Sequence, residues 1–235
     1  MSNANTVGAG FAAVLPAGGL GKRMGGSQPK QMLELGGRPI WRHSVETFLA
    51  HPGISEVVLV VPSEWVSHFE QELEGENVNI VVGGAERWQS VQNGVNALSE
   101  RIRWVLVHDV ARPFLHSSII DAVLERLQES ACIVAKPVND TVKVVQQGLI
   151  SNTIDRDTVF LAQTPQACEV NILRDCYLRM REEVIPFSPT DEASILERYG
   201  IAVSVVQGDS WNDKITTPED MLRFKALLSN QPFQD

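Results

Sequence analysis

The sequence has few cysteines, no long apolar run and no segment that resembles a signal peptide. Its three cysteines, at positions 132, 168 and 176, form no CxxC pair, which excludes a disulfide framework and a zinc site. No apolar run approaches the roughly 20 residues that a membrane span needs. Residues 1–10 lack a basic flank followed by an apolar stretch. These absences predict a cytoplasmic protein with no membrane partner.

Positive charge is also scarce. The chain has 20 basic against 29 acidic residues, which gives a formal net charge of -9. Because a general nucleic-acid binder carries a basic field, this balance predicts no nucleic-acid partner, although a local basic pocket is compatible with it. At 235 residues and 43% apolar content, the chain can bury a real core in one large α/β domain or two small ones.

Continuous apolar runs alternate with amphipathic helical patterns. Unbroken β-branched runs are typical of strands covered on both faces, as in a parallel sheet. Such strand-like runs cover residues 11–15, 57–61, 78–82, 104–107, 132–135 and 201–206. Helical patterns cover residues 41–49, 88–98, 120–127, 171–183, 191–199 and 218–229. The alternation predicts an α/β fold with a doubly wound, mostly parallel, Rossmann-like sheet.

The pattern breaks at residues 139–156, where a further helix is due. Two β-like stretches, 141–145 and 149–154, flank Gln146-Gln147-Gly148 and predict a hairpin. Such an arm packs either on another subunit or over its own subunit, and the pattern alone favours neither arrangement. No linker divides the chain, so we expect residues 1–235 to form a single domain with this arm inserted.

A glycine-rich loop, PAGGLGKRM, covers residues 16–24 after the first strand. The backbone N–H groups of such a loop can close around phosphates. The loop lacks the GK[ST] ending of a Walker A motif and the third glycine of the dinucleotide fingerprint. A bare glycine turn is also a common tight connection between strand and helix. The nearby cations Lys22, Arg23 and Lys30 favour an anion site.

Further candidate residues stand near the ends of later strands. Asp109 follows the fourth strand, at the carboxyl end where open parallel sheets bind ligands. A carboxylate beside phosphates implies a divalent metal, although Asp at a strand end also commonly caps a turn. Arg112 can pair with Asp109 or face a substrate phosphate. Lys214 precedes the last helix and is otherwise an ordinary surface lysine.

Taken in order, these segments resemble one family. The set is PAGGLGKRM, PKQ, GGAERWQSV, VHDVARP, NDTVK, DR, QTPQ, TDEAS and NDKITTPED. It is similar to the 2-C-methyl-D-erythritol 4-phosphate cytidylyltransferases, from Phe11 to about Leu228. The resemblance implies a nucleotidyltransferase fold and an enzyme of non-mevalonate isoprenoid biosynthesis. Its reaction transfers CMP from CTP to that polyol phosphate, with Mg²⁺, and releases pyrophosphate.

The resemblance also implies roles at the nucleotide. Small or hydroxyl-bearing residues surround the cytosine and ribose: Ala17, Gly18, Gly83 and Ser90. Arg23 and Lys30 grip the triphosphate and stabilise the charge that develops at the α-phosphorus. One departure from the family pattern is Ala85, which stands where many members carry an aspartate. If that aspartate selects the base, backbone groups must do so here.

At the acceptor, the resemblance implies that Asp109 holds either the acceptor or the metal. Polar residues hold the acceptor's hydroxyls and phosphate: Arg112, Thr141, Arg156, Thr164 and Lys214. In this family the arm swaps across a homodimer, so Thr141 and Arg156 serve the partner's site. The implied catalytic residues are the cations Arg23, Lys30, Arg156 and Lys214. The task of the site is to neutralise charge between two anions and to align them, rather than to supply a strong base.

Two other functions fit parts of this pattern. Ribitol 5-phosphate cytidylyltransferases share the fold, CTP and most motifs, but TDEAS and NDKITTPED together favour methylerythritol phosphate. A non-catalytic nucleotide-binding regulator on the same fold is expected to have lost cations. This chain keeps Arg23, Lys30, Arg156 and Lys214.

Overall fold

A computed structural model describes residues 10–18, 29–183 and 187–230. Its core is a seven-stranded sheet in the order β11-β7-β10-β6-β1-β4-β5. The strands are β1 (Gly10–Pro16), β4 (Glu56–Val61), β5 (Val78–Val82), β6 (Ile102–Val107), β7 (Ala131–Pro137), β10 (Phe160–Glu169) and β11 (Val203–Gln207). Only β10 runs antiparallel to its neighbours in this described sheet. The predicted fold class is therefore confirmed.

Helices cover both faces of the sheet. On one face lie α1 (Ile40–Ala50), α2 (Val66–Glu72) and α4 (Ser117–Arg126). On the other lie α3 (Arg87–Asn96), α5 (Val170–Glu182) and α6 (Glu192–Arg198). The last helix, α7 (Pro218–Asn230), packs in a separate apolar cluster with the short hairpin of β2 (Glu34–Leu35) and β3 (Arg38–Pro39). No helix in the described part of the chain is both long and apolar enough to cross a membrane.

The apolar run of β1 explains why the fold needs two helical layers. Successive side chains of a strand point to opposite faces of the sheet. Ala13 and Leu15 accordingly pack into the cluster with α1 and α4, while Ala12 and Val14 pack into the cluster with α3 and α5. All four side chains are fully buried. A strand without polar positions thus requires cover on both sides, which is what the unbroken run predicts.

The sequence analysis missed β10, which is the longest strand. Its residues, FLAQTPQACE, contain no β-branched run and include a proline, so they do not show a strand pattern. The pairing of β10 with β7 is interrupted between Ala162 and Gln166. This irregularity frees Gln163 and Thr164 from the regular ladder and lets their side chains bond to neighbouring loops. The short helix α2 and the β2–β3 hairpin were also not predicted.

The predicted hairpin is present as β8 (Val142–Gln146) and β9 (Leu149–Ile154). Gln147 and Gly148 form its turn with positive φ angles of 50° and 81°, as tight hairpin turns require. The two strands form a separate sheet and pair with no strand of the main sheet. Large apolar side chains on this arm are exposed: Val145, Leu149, Ile150 and Ile154.

Gly94 sets how closely α3 approaches the sheet. A Cβ at this position would lie 2.6 Å from Val14 Cγ1 and 2.8 Å from Val60 Cγ2, closer than packed atoms allow. Because Val14 and Val60 are fully buried on two central strands, they have little room to move. The missing side chain therefore brings the second half of α3 against β1 and β4.

We expect Gly94→Ala to lower the free energy of unfolding by about 1–3 kcal/mol, because the methyl group overpacks this contact. Urea denaturation followed by circular dichroism measures the change. Asn96→Ala, on the exposed side of the same helix, is the matched control and should leave stability nearly unchanged. Equal stability of Gly94→Ala and the wild type would contradict the tight approach of α3.

Candidate active site

A cavity of about 380 Å³ opens at the carboxyl ends of β1 and β6. These two strands are neighbours in the middle of the sheet. This is the edge at which open α/β sheets bind ligands. Five chain segments meet there: the end of β1, the turn Lys30–Met32, the β5–α3 loop, the loop after β6 and the segment before α7. The lining residues are Pro16, Ala17, Gly18, Lys30, Gln31, Gly84, Ala85, Glu86, Arg87, Ser90, Asp109, Val110, Ala111 and Lys214.

Hydrogen bonds fix the backbone that carries Asp109. The Thr164 hydroxyl accepts from the Asp109 N–H at 3.1 Å and lies 3.0 Å from His108 Nδ1. His108 Nε2 lies 3.1 Å from the Arg112 carbonyl, so Nε2 donates there and Nδ1 accepts from Thr164. Burial lowers the pKa of His108 to about 4, which keeps this ring neutral. His108 thus serves structure, and β10 reaches the site through Thr164.

The Asp109 carboxylate lies between two cations. Its Oδ1 accepts from Arg87 Nε at 3.0 Å, and its Oδ2 accepts from Lys214 Nζ at 2.7 Å. Burial would raise the pKa of Asp109, but the charges of Arg87 and Lys214 hold that pKa far below its usual range. Asp109 is therefore ionised and is shared between α3 and the segment before α7.

Arg87 also binds a second carboxylate. Its Nη1 and Nη2 donate to Glu192 Oε1 and Oε2 at 2.8 and 3.0 Å, which is the two-pronged geometry that guanidinium and carboxylate groups prefer. Glu192 is only 1% exposed. The sequence analysis assigned no role to either residue, although both lie in quoted motifs, Arg87 in GGAERWQSV and Glu192 in TDEAS. Local sequence offered only one weak signal, an acidic residue in the first turn of the predicted helix 191–199.

Lys30 joins two of the segments around the cavity. Its Nζ donates to the Ile215 carbonyl at 2.9 Å, next to Lys214. The neighbouring Gln31 donates to the Ala17 carbonyl at 2.6 Å and so ties the same segment to the end of β1. The structure therefore brings Ala17, Gly18, Lys30 and Lys214, which belong to motifs far apart in the chain, to one cavity.

The β5–α3 loop borders the cavity from the other side. Gly84 N–H donates to Ser90 Oγ at 3.0 Å, so the hydroxyl holds the loop in place. A Cβ at Gly84 would lie 2.3 Å from Gln89 Cβ, so only glycine fits this turn. Ala85 and Ser90 line the cavity, whereas Gly83 lies just behind it, with a position for Cβ 2.9 Å from Ser90 Oγ.

Arg112 and Thr164 lie beneath the cavity and do not line it. Arg112 is 9% exposed and donates to the carbonyls of Asn212 and Ala162, at 2.8 and 3.4 Å. Burial lowers the pKa of Arg112. Thr164 is buried, with its hydroxyl bonded to Asp109 and His108. Within this single chain, both residues support the Asp109 loop and the segment before α7.

Two predicted site residues lie on the arm, away from the cavity of their own chain. Thr141 and Arg156 belong to the exposed arm, and Arg156 Nη1 donates to the Asn139 carbonyl at 2.8 Å. Neither lines the cavity. Arg23 falls outside the described residues, as does most of the glycine-rich loop.

Asp213 anchors the segment that presents Lys214. Its carboxylate accepts from Lys136, from Gln163 Nε2 at 3.1 Å and from Arg223 at 2.9 Å. These donors come from β7, β10 and α7, so three elements hold one loop. Burial would raise the pKa of Asp213, but hydrogen bonds from Lys136 and Arg223 lower it.

Comparison with known proteins gives consistent matches over nearly the whole chain. The family model described as IspD, 2-C-methyl-D-erythritol 4-phosphate cytidylyltransferase, matches residues 11–230. A protein of that name from Geobacter metallireducens is 40% identical over 93% of this chain and 97% of its own length. Another, from Bacillus licheniformis, is 39% identical over 93% of this chain and 95% of its own length.

Solved structures agree with these sequence matches. The crystal structure of 4-diphosphocytidyl-2C-methyl-D-erythritol synthase from Anaerococcus prevotii superposes with a TM-score of 0.86 at 29% identity, covering 97% of this chain and all of that one. The 2-C-methyl-D-erythritol 4-phosphate cytidylyltransferase from Thermus thermophilus gives 0.78 at 29% identity, covering 94% of this chain and 99% of that one.

We expect Asp213→Asn to lower the free energy of unfolding by roughly 1 kcal/mol at neutral pH, because it removes partly buried ion pairs. A carboxyl whose pKa is lowered on folding stabilises the protein above its ordinary pKa of 3.8 and loses that effect as the pH falls. The difference between variant and wild type should therefore shrink from neutral pH to about pH 3, measured by urea denaturation.

Asp175→Asn is the matched control, since Asp175 forms an exposed ion pair with Arg179 on α5. It should change stability by less than about 0.5 kcal/mol at any pH. A constant difference between Asp213→Asn and the wild type from pH 7 to pH 3 would contradict the ionic role of Asp213.

Proposed function

This chain belongs to the 2-C-methyl-D-erythritol 4-phosphate cytidylyltransferase family, and from that premise we propose that its cavity is the place where CMP passes from CTP to 2-C-methyl-D-erythritol 4-phosphate. The products are 4-diphosphocytidyl-2-C-methyl-D-erythritol and pyrophosphate. The observation that carries the proposal is the meeting of Lys30, Arg87 and Lys214 around Asp109 at the carboxyl ends of β1 and β6. Two anionic substrates need such a cluster of cations.

The nucleotide end of the site lies between β1 and the β5–α3 loop. Ala17 and Gly18 present backbone with little side chain, so a ribose or base can approach them closely. On the opposite wall, the Ser90 hydroxyl and the backbone at Gly84 offer polar atoms for the cytosine, and Gly83 supports this wall from behind. With Ala85 in the same loop, backbone groups and Ser90 select the base.

The reaction is a displacement at the α-phosphorus of CTP. A phosphate oxygen of the acceptor forms the new P–O bond, the bond to the β-phosphate oxygen breaks, and pyrophosphate leaves with that electron pair. No strong base is needed, because the nucleophile is already an oxyanion. Lys30 and Arg23 bind the triphosphate as charge builds up; a unit charge about 4 Å away contributes about 4 kcal/mol at an effective dielectric near 20.

The acceptor lies on the Asp109 side of the cavity. The ionised carboxylate of Asp109 accepts hydrogen bonds from the acceptor's hydroxyls, and Lys214 binds its phosphate. Arg112 and Thr164 act from beneath, because their polar groups hold the loops that carry Asp109 and Lys214. In this arrangement, the loop between β6 and α4 limits the length of the acceptor that fits the cavity.

The residues at the cavity are compatible with a magnesium ion that is held largely by the nucleotide. Mg²⁺ commonly binds one or two carboxylates together with substrate phosphates and water. Asp109 can take part through the lone pairs that Arg87 and Lys214 leave free. Among the described residues no cluster of three metal-binding side chains exists. When bound, Mg²⁺ neutralises phosphate charge and orients the triphosphate.

We also propose a homodimer in which the arm of one subunit completes the site of the other. The arm pairs with no strand of the main sheet and exposes Val145, Leu149 and Ile150, which a partner would cover. It also carries Arg156 and Thr141, which are not among the described residues that line the cavity of their own chain. The three cysteines are free and buried, which suits work in the reducing cytoplasm.

The direct test is pyrophosphate release with CTP and Mg²⁺, offering 2-C-methyl-D-erythritol 4-phosphate and ribitol 5-phosphate in parallel. We expect release with the first acceptor and none in EDTA, because the substrate charges must be neutralised. Release with ribitol 5-phosphate alone would overturn the acceptor and keep the CTP site. CTP binding without turnover of either acceptor would instead identify a nucleotide-binding regulator.

Arm exchange has its own test, in which Lys30→Ala and Arg156→Ala chains are co-expressed. Each variant alone should be nearly inactive. In a mixed dimer, however, one site combines an intact body with an intact arm, so random pairing should restore about a quarter of wild-type turnover.

The matched control pairs Lys30→Ala with Lys214→Ala. Both changes lie in the body of the subunit, so each makes the cavity of its own chain defective and neither site of a mixed dimer is intact. Rescue with Arg156→Ala and none with Lys214→Ala supports the exchanged arm. Absence of rescue in both mixtures would show that Arg156 serves its own subunit.

A further inference from the structure

We propose that Glu192 is a positioning residue for the acceptor: by binding both terminal nitrogens of Arg87, it leaves Asp109 turned toward Lys214 and the cavity. The inference rests on the proposed function, in which Asp109 binds the acceptor. It adds that the ion pairs from Glu192 through Arg87 orient the Asp109 carboxylate. Glu192 itself does not line the cavity. It acts through Arg87, whose Nε alone contacts Asp109.

Glu192 is a firm anchor because its backbone is fixed from two sides. It stands at the start of α6, where Asp191 accepts from the Ser194 N–H at 3.0 Å and Ser194 bonds back to Asp191. Gln166 of β10 accepts from the Ala193 N–H and donates to Asp191, each at 2.9 Å. These bonds hold the start of α6 against β10, so the position of the Glu192 carboxylate is fixed. The Arg87 side chain adopts the orientation that reaches this carboxylate.

Arg87 divides its N–H groups unequally between the two carboxylates. Guanidinium groups bind carboxylates most strongly through two parallel N–H groups. Glu192 takes that two-pronged contact, at 2.8 and 3.0 Å, and Asp109 receives only the single Nε contact at 3.0 Å. Without the Glu192 charge, Asp109 becomes the strongest partner left for the two prongs. The expected result is a rotation of the Asp109 carboxylate away from Lys214.

Charge balance leads to the same conclusion. Glu192, Arg87, Asp109 and Lys214 alternate in sign along one chain of contacts. Glu192 offsets the charge of Arg87, so the charge of Asp109 remains available to Lys214 and to the acceptor. A buried ion pair is by itself weak support for a stability role, since well-packed neutral groups often replace one without loss. The placement of this pair behind Asp109 favours a role in the site.

The experiment compares the acceptor kinetics of Glu192→Gln, Arg87→Gln and the double variant with those of the wild type. Glu192→Gln keeps the shape of the side chain and removes its charge. We expect its kcat/KM for 2-C-methyl-D-erythritol 4-phosphate to fall by about 100-fold, because Asp109 is misplaced. The KM for CTP should stay within about twofold, since the nucleotide lies on the other side of the cavity.

The double variant separates positioning from folding. Two amides leave no unpaired charge between positions 87 and 192, so Arg87→Gln with Glu192→Gln should recover part of the thermal stability that either single change loses. Its acceptor kcat/KM should nevertheless remain at least about tenfold below the wild type, because nothing orients Asp109. If Glu192→Gln fails to fold, the acceptor kcat/KM of the folded double variant still tests whether this ion pair positions Asp109. Glu197→Gln, exposed on the same helix, is the control and should behave as the wild type.

Two results would overturn the proposal: Glu192→Gln that is folded and keeps wild-type acceptor kinetics, or a double variant that recovers both stability and acceptor kcat/KM. An equal rise in the KM values for CTP and acceptor would also overturn it, because a general loosening of the site does that. Failure of the proposed function shows separately, as absence of pyrophosphate release by the wild type.

Discussion

The arrangement of this site depends on one buried charge, the carboxylate of Asp109. It is 8% exposed, and its ionised form exists there only because Arg87 and Lys214 lie at 3.0 and 2.7 Å. Those two cations come from the start of α3 and from the segment before α7, which are distant in the chain. A charge that cannot be buried alone thus forces distant segments to meet at the end of β6.

The antiparallel strand β10 makes that meeting possible. Between β6 and β7 it carries an interrupted stretch whose side chains reach the loops on both sides. Thr164 holds the Asp109 N–H, Gln163 bonds to Asp213, and Gln166 fixes the start of α6 behind Glu192. A purely parallel sheet would place a crossover connection there. One reversed strand instead gives the site a rigid floor whose polar groups are satisfied from several directions.

The sequence predicted the parts of this molecule that are governed by short-range pattern. The apolar runs located β1, β4, β6 and β7, and the glycine and proline positions located the turns and the arm. It did not predict β10, whose polar side chains face loops rather than the core. It also gave no role to Arg87 and Glu192, because a pairing between residues 105 positions apart is a property of topology and not of local sequence. The resemblance implied that Arg112 binds the acceptor, and local sequence did not show that its guanidinium donates to the carbonyls of Asn212 and Ala162.

The charge of the described cavity explains why the proposed mechanism needs more than this one chain. Lys30, Arg87 and Lys214 face it against Glu86 and Asp109, so three cations are nearly offset by two carboxylates. A nucleoside triphosphate and a phosphate monoester together carry several negative charges, which this small excess cannot neutralise. Among the described residues, the lining of the cavity is therefore close to neutral. Under the proposed function, Mg²⁺, Arg23 and Arg156 of the partner subunit supply the remaining positive charge. Catalysis would thus be coupled to assembly, because the last positive charge arrives with the second subunit.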